Sequence, residues 1–415
     1  MKRAYRQKDS WVVTLNKKVT VSILLMLVII ANDISACTTL NTSQQADSGN
    51  QFIASRILPA EQSESTQRMQ STKIQLTATK TNPWGIALDE ARGFVWAAEP
   101  GCEMSPTCPT TFATYIGKYA LSDGSLIGNF PEPDQGSSGV KYSSPLFVAV
   151  NHNDGHVWFT EPDSNAIGEL DPDVGAWNNY AKGITPGSAP YDLVFDKNGN
   201  IWFTEVNGNN IGFLNTKTHT IVETPTPTPG SNPYGITIDG RGNIWFAENG
   251  KGVSKIATFT PTTTGNIAIT EYLIDPVLIT RPHLITVDPH GIIWFSDGFA
   301  GNISQFDPAT QAVTHFKVAT QCRRANNCTH ISSIVADRQG DIWFTDSLNA
   351  TVGYFNPASN IEKVQPIRDP NAHPHDGLAI QSNGTAWFTE QYGSQLQGDP
   401  VLGPVLVMWP EGTLK

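Results

Sequence analysis

Trp202-Phe203-Thr204-Glu205 decides the fold, because the chain keeps returning to it. Copies stand at Trp158-Phe159-Thr160-Glu161, Trp245-Phe246-Ala247-Glu248, Trp294-Phe295-Ser296-Asp297, Trp343-Phe344-Thr345-Asp346 and Trp387-Phe388-Thr389-Glu390. A weaker copy, Val95-Trp96-Ala97-Ala98-Glu99, makes seven. The tryptophans lie 62, 44, 43, 49, 49 and 44 residues apart. A period of about 40–50 residues made of short strands marks a β-propeller, one four-stranded blade per repeat.

The sequence around Trp202 shows what one blade contains. Pro190 to Asp196 is a short apolar run ending in an acid, and Lys197-Asn198-Gly199-Asn200 is turn chemistry, since Asn and Gly tolerate positive φ. Ile201 to Glu205, Ile211 to Leu214 and His219 to Glu223 supply three further strands. The Trp-Phe pairs read as core between blades rather than as ligand contacts. A propeller must also join its ends or leave sheet edges open. The last repeat has an inner strand (Pro374 to Ile380), a second (Thr385 to Glu390) and a third (Pro404 to Pro410), but no fourth. Ile74 to Thr79 precedes the first inner strand (Pro83 to Asp89), and we expect it to close the ring by joining the last blade.

The propeller therefore occupies residues 72–415. Residues 1–36 read as a leader: Lys2, Arg3, Arg6, Lys8, Lys17 and Lys18, then the apolar run Val19 to Ala31 and Ile34-Ser35-Ala36-Cys37. This resembles a bacterial lipoprotein signal cut before Cys37, which predicts export and a lipid anchor on Cys37 as the membrane attachment; the alternative is an ordinary signal peptide or anchor cut elsewhere, with the protein secreted. Residues 37–71, rich in Ser, Thr and Gln, read as a flexible tether. Cys102/Cys108 and Cys322/Cys328 are spaced for two local disulfides in an exported chain, with a zinc site as the rival reading. The net charge of −11 argues against nucleic acid as a partner, and a monomer is expected.

Chemistry is expected where the inner strands begin and the second strands end, at one mouth of the channel. The first set reads Trp84, Leu146, Tyr191, Tyr234, His283, approximately His330, and His375; the second reads Glu99, Glu161, Glu205, Glu248, Asp297, Asp346 and Glu390. An acid in every repeat suits a structural role, accepting backbone N–H bonds from the following loop. The cluster His373-Pro374-His375-Asp376 with Glu390 one strand away has the residue types for a metal and a general base.

The repeat P-[YH]-G-I-x-x-D-x-x-G-N-I-W-F-T-E-x-x-x-N-x-I-G resembles the virginiamycin B lyase (streptogramin lyase) family of seven-bladed propellers. The resemblance implies a carbon–oxygen lyase that linearises a cyclic depsipeptide or lactone by elimination, with a divalent cation, usually Mg²⁺, polarising the ester carbonyl. It places His375 as the catalytic base, Glu390 and His373 on the metal, and His283 of Arg281-Pro282-His283 at the substrate. His373 stands where the family has a Glu, and imidazole suits Zn²⁺ or Mn²⁺ better than Mg²⁺. His283 lies two blades before the last instead of one. The alternative is a non-catalytic propeller that binds a ligand or a protein.

Overall fold

A computed structural model describes residues 56–59, 61–62, 72–74, 82–101, 114–133, 144–275, 281–298, 300–318, 329–367, 369, 371–391 and 405–410. The leader, Cys37, residues 75–79 and all four remaining cysteines lie outside the described residues.

Seven four-stranded blades stand in a ring, and the described residues contain no helix. The inner strands are Ile86–Asp89, Val148–Val150, Pro190–Phe195, Pro233–Ile238, Ile285–Val287, Ile331–Ala336 and Leu378–Ile380. Each packs against the next, and the seventh packs against the first. Within each blade the strands follow in sequence order outward, joined antiparallel. In the seventh blade the outermost strand is Thr72–Ile74, paired antiparallel with Val405–Trp409, with Ile74 opposite Leu406. The rest of the segment expected to close the ring lies outside the described residues.

Three features of the repeat explain why it folds this way. First, the Phe of Trp-Phe needs space on the neighbouring strand. Phe159, Phe203 and Phe344 face Gly168, Gly212 and Gly353 across the ladder. A Cβ on Gly212 would lie 2.1 Å from the Phe203 ring, so in these three blades glycine lets the ring lie over the backbone, whereas Phe246, Phe295 and Phe388 face Ala257, Ser304 and Val407. Second, the Asp or Gln six residues before the Trp accepts a hydrogen bond from its indole N–H. Trp202, Trp245, Trp294 and Trp343 donate to Asp196, Asp239, Asp288 and Asp337 at 3.1–3.2 Å, and Trp387 donates to Gln381 at 2.8 Å. The first two repeats carry one more residue in this turn, from Asp89 to Trp96 and from Asn151 to Trp158. Their indole N–H groups are buried without a partner among the described residues.

Third, the Thr or Ser of the motif links blades. Thr160 donates to Tyr191 O and Thr204 to Tyr234 O, each at 2.6 Å; Ser296 donates to Ser332 O at 2.7 Å. Thr345 donates to His375 O and Thr389 to Trp84 O, each at 2.9 Å, so the seam between blades seven and one uses the same bond as the others. Each such bond contributes about 1 kcal/mol, and the buried Trp-Phe packing supplies most of the rest.

The segment read as a tether contributes structure of its own. Arg56–Pro59 pairs parallel with the outer strand of blade five (Ala312–Lys317), and Glu61–Gln62 with that of blade six (Ile361–Pro366). Both cover edges that would otherwise expose unpaired backbone.

Candidate functional site

The channel end where inner strands begin is built by counting. In six blades the residue facing the channel lies two positions before the one that pairs with the motif's second aromatic position. These are Trp84, Leu146, Tyr191, Tyr234, His283 and Ser332. Ser332, not His330, therefore holds that position in blade six. His330 sits two residues earlier, held by its backbone N–H to Asp346 Oδ1 at 3.1 Å. In blade seven the count is three: His375 takes the Thr345 bond that marks the ring position, yet Leu378 is the residue opposite Phe388. Asp376 is one extra residue inserted between them.

That insertion drives a carboxylate into the channel. Asp376 is 4% exposed and meets side chains from four blades. Its Oδ2 accepts from Tyr191 OH at 2.8 Å and Trp84 Nε1 at 3.3 Å. Its Oδ1 lies 3.1 Å from His283 Nε2 and 3.0 Å from His375 Nδ1. Burial alone would push the Asp376 pKa up. The neighbouring His375 and His283 overrule it and hold the carboxyl well below the usual range, so it is ionised. The Tyr191 phenol is pushed well above its ordinary value by burial and by Asp376, so it stays a donor.

A histidine cluster surrounds this anion. The rings of His283, His330 and His375 lie 5.0–5.4 Å apart, and one ligand atom from each falls within 4.8 Å of the others. Tyr234 lies against His283 at 4.2 Å and Trp84 against His375 at 5.3 Å. Ser347 Oγ holds His330 Nδ1 at 2.8 Å. Burial, then the His283 and His375 rings, push the His330 pKa well below its ordinary value. Burial takes His373 down to about 3.

The structure thus brings together His375 and His283, two of the residues singled out in the sequence. His373 stacks on His375 at 5.3 Å, and Glu390 is fully buried at the end of the strand Ala386–Glu390. Neither belongs to the group of converging ligand atoms found among the described residues. That group is three imidazoles, a donor set that suits Zn²⁺-like ions and not oxygen-seeking Mg²⁺. Asp376 was seen in the sequence only as part of its cluster; its central place follows from the extra residue in Pro374-His375-Asp376-Gly377 against Pro233-Tyr234-Gly235.

The acids ending the second strands divide in role. Asp346 Oδ1 accepts backbone N–H bonds from His330, Leu348 and Asn349, each at 3.1 Å, and so organises a loop. Glu99 accepts from Tyr119 OH at 2.6 Å and Glu205 from Asn210 Nδ2 at 2.9 Å. Burial pushes the Glu248 carboxyl up to about 8, and both its oxygens lack partners among the described residues.

Residues 128–397, well over half the chain, match the model of the virginiamycin B lyase family. No curated protein matches. Among solved structures, a streptogramin B lyase is 25% identical with a TM-score of 0.64, over 81% of this chain and 97% of that one. The selenomethionine form of virginiamycin B lyase from Staphylococcus aureus is 28% identical, also at 0.64, over 81% and 98%. A catalytically inactive histidine-to-alanine variant of the Staphylococcus aureus enzyme, solved with quinupristin, is 27% identical at 0.64, over 82% and 99%. With its seven blades and the matched family model, this chain belongs to the virginiamycin B lyase family.

Proposed function

We propose that the chain is a carbon–oxygen lyase that opens a cyclic depsipeptide or lactone ester by elimination, with His375 as general base. The observation that carries this reading is the 3.0 Å contact between His375 Nδ1 and the ionised, buried Asp376. A carboxylate at ion-pair distance from Nδ1 stabilises the imidazolium that forms when the ring takes a proton. His375 would remove a proton from the carbon next to a carbonyl. The released electron pair would form a carbon–carbon double bond as the neighbouring C–O bond breaks, and the carboxylate would depart without addition of water.

His283 shares the same carboxylate and is walled by Tyr234, which fits a substrate-positioning role. His373 and Glu390 carry the metal in the reading from the sequence; a divalent cation there would polarise the ester carbonyl. The exported, Cys37-anchored, monomeric state belongs to the same proposal.

The competing reading, a non-catalytic binding propeller, draws on the same carboxylate. A side chain bonded to blades one, three, five and seven would serve as a structural pin whether or not it assists a base. Turnover decides between them. Wild-type protein is incubated with a quinupristin-type depsipeptide and with simple macrolactones, and products are weighed by mass spectrometry. Elimination gives a linear product of unchanged mass; hydrolysis adds one water. Absence of any linear product across the panel supports the binding reading.

A further inference from the structure

We propose that His283, His330 and His375 form a binding site for a borderline divalent cation of the Zn²⁺ type, with ligands other than the pair His373 and Glu390. The three rings come from blades five, six and seven and present ligand atoms within 4.8 Å of one another. Tetrahedral zinc with bonds of about 2.0–2.1 Å needs nitrogens roughly 3.4 Å apart, so rotations on the order of 1 Å close the site. Such rotations are small for side chains hinged at Cβ.

The surroundings also fit. A metal-bound imidazole usually donates its second ring N–H to a carboxylate, hydroxyl or carbonyl that fixes its orientation. Asp376 Oδ1 stands at that place for His283 and Ser347 Oγ for His330, and Asp376 Oδ1 also lies 3.0 Å from His375 Nδ1. One anion beside three neutral imidazoles leaves a cation with a net charge of about one to be neutralised by substrate or hydroxide. Tyr234 and Trp84 wall the cluster with aromatic surface, which limits its access to water.

Imidazole donors select zinc, cobalt, nickel or copper over magnesium. Where His375 serves as base, a cation on the same ring competes with proton abstraction; that consequence rests on the lyase reading, but the site itself does not.

The test is metal binding by the full-length protein after chelator treatment. Zn²⁺ is titrated calorimetrically, and Co²⁺ serves as the visible probe through its d–d absorption. We expect a tightly bound Zn²⁺ or Co²⁺ at this cluster that His330→Ala removes from the titration and that excess Mg²⁺ does not displace. His330→Ala should weaken Zn²⁺ binding by at least about 100-fold, and Ser347→Ala, which keeps all three imidazoles but removes the hydroxyl bonded to His330 Nδ1 and to His330 O, by about 10–100-fold. Failure of the wild type to bind either ion overturns the proposal, as does unchanged affinity in a folded His330→Ala protein. Should His330→Ala fail to fold, Ser347→Ala decides alone: a loss of tenfold or more supports the site, and wild-type affinity rejects it.

Discussion

Replacing Asp376 with Asn tests whether the inserted carboxylate pins the ring. Asparagine keeps the shape but turns one acceptor oxygen into an NH₂ group. On the Oδ2 side that group would face Trp84 Nε1, which can only donate. On the Oδ1 side it would face His283 and His375, which can change tautomer and accept. The amide is therefore expected to turn its nitrogen toward the histidines and to keep its oxygen on Tyr191 and Trp84. What is lost is the charge, and with it the charge-assisted bonds, each contributing about 1.5–3 kcal/mol. Breaking a buried ionic network by removing one partner costs about 3–5 kcal/mol. For a domain of about 340 residues, with an unfolding entropy of about 0.7 kcal/mol per degree, that lowers the melting temperature by about 4–7 °C. The assay is thermal unfolding by circular dichroism across pH. The Asp376 carboxyl is held below its unfolded value, so its stabilisation is full above pH 4 and is lost as the pH falls toward its folded value. The gap between wild type and D376N should be constant from pH 7 to about pH 5 and narrow in stronger acid. A melting temperature within about 1 °C of wild type at pH 7 would refute the pin.

Three further outcomes follow from the same geometry. Gly212→Ala should destabilise by about 1–3 kcal/mol in denaturant titration, because its Cβ would meet the Phe203 ring at 2.1 Å; an unchanged midpoint would show that the ring can move aside. The Glu248 carboxyl, raised to about 8, holds a proton in the fold that the unfolded chain releases near pH 4.5; stability should therefore fall as pH rises from about 5 to 8, and E248Q should flatten that slope in pH-dependent melts. Glu205→Gln, in a blade without histidine at the channel, should leave turnover within about twofold of wild type, since Glu205 Oε2 accepts an internal bond from Asn210 and its loss is local; a large drop would mean the ring of acids acts as a unit.

The blade count was legible because one strand, Trp-Phe-Thr-Glu, carries three structural duties at once. Its Trp and Phe pack between blades and its Thr or Ser ties one blade to the next, so the pattern recurs in almost every repeat. The site was legible only in residue type. His375 and His283 stand at ring positions that counting from Trp-Phe predicts, but His330 reaches the cluster from two residues outside that register. Asp376 is visible in the sequence as one residue too many after Pro374-His375, a signal that needs the other six inner strands laid beside it. Arg56–Pro59 and Glu61–Gln62 could not be read as strand material, because an added edge strand depends on the outer strands already present in blades five and six and not on its own composition.

The account stands most directly on the turnover of His375→Ala. Wild-type protein should convert a cyclic depsipeptide to a linear product of equal mass, and H375A should do so about 10²–10⁴-fold more slowly while still unfolding in one cooperative transition. A folded H375A protein that turns the substrate over at the wild-type rate would contradict the assignment of the base and, with it, the chemistry proposed for this channel.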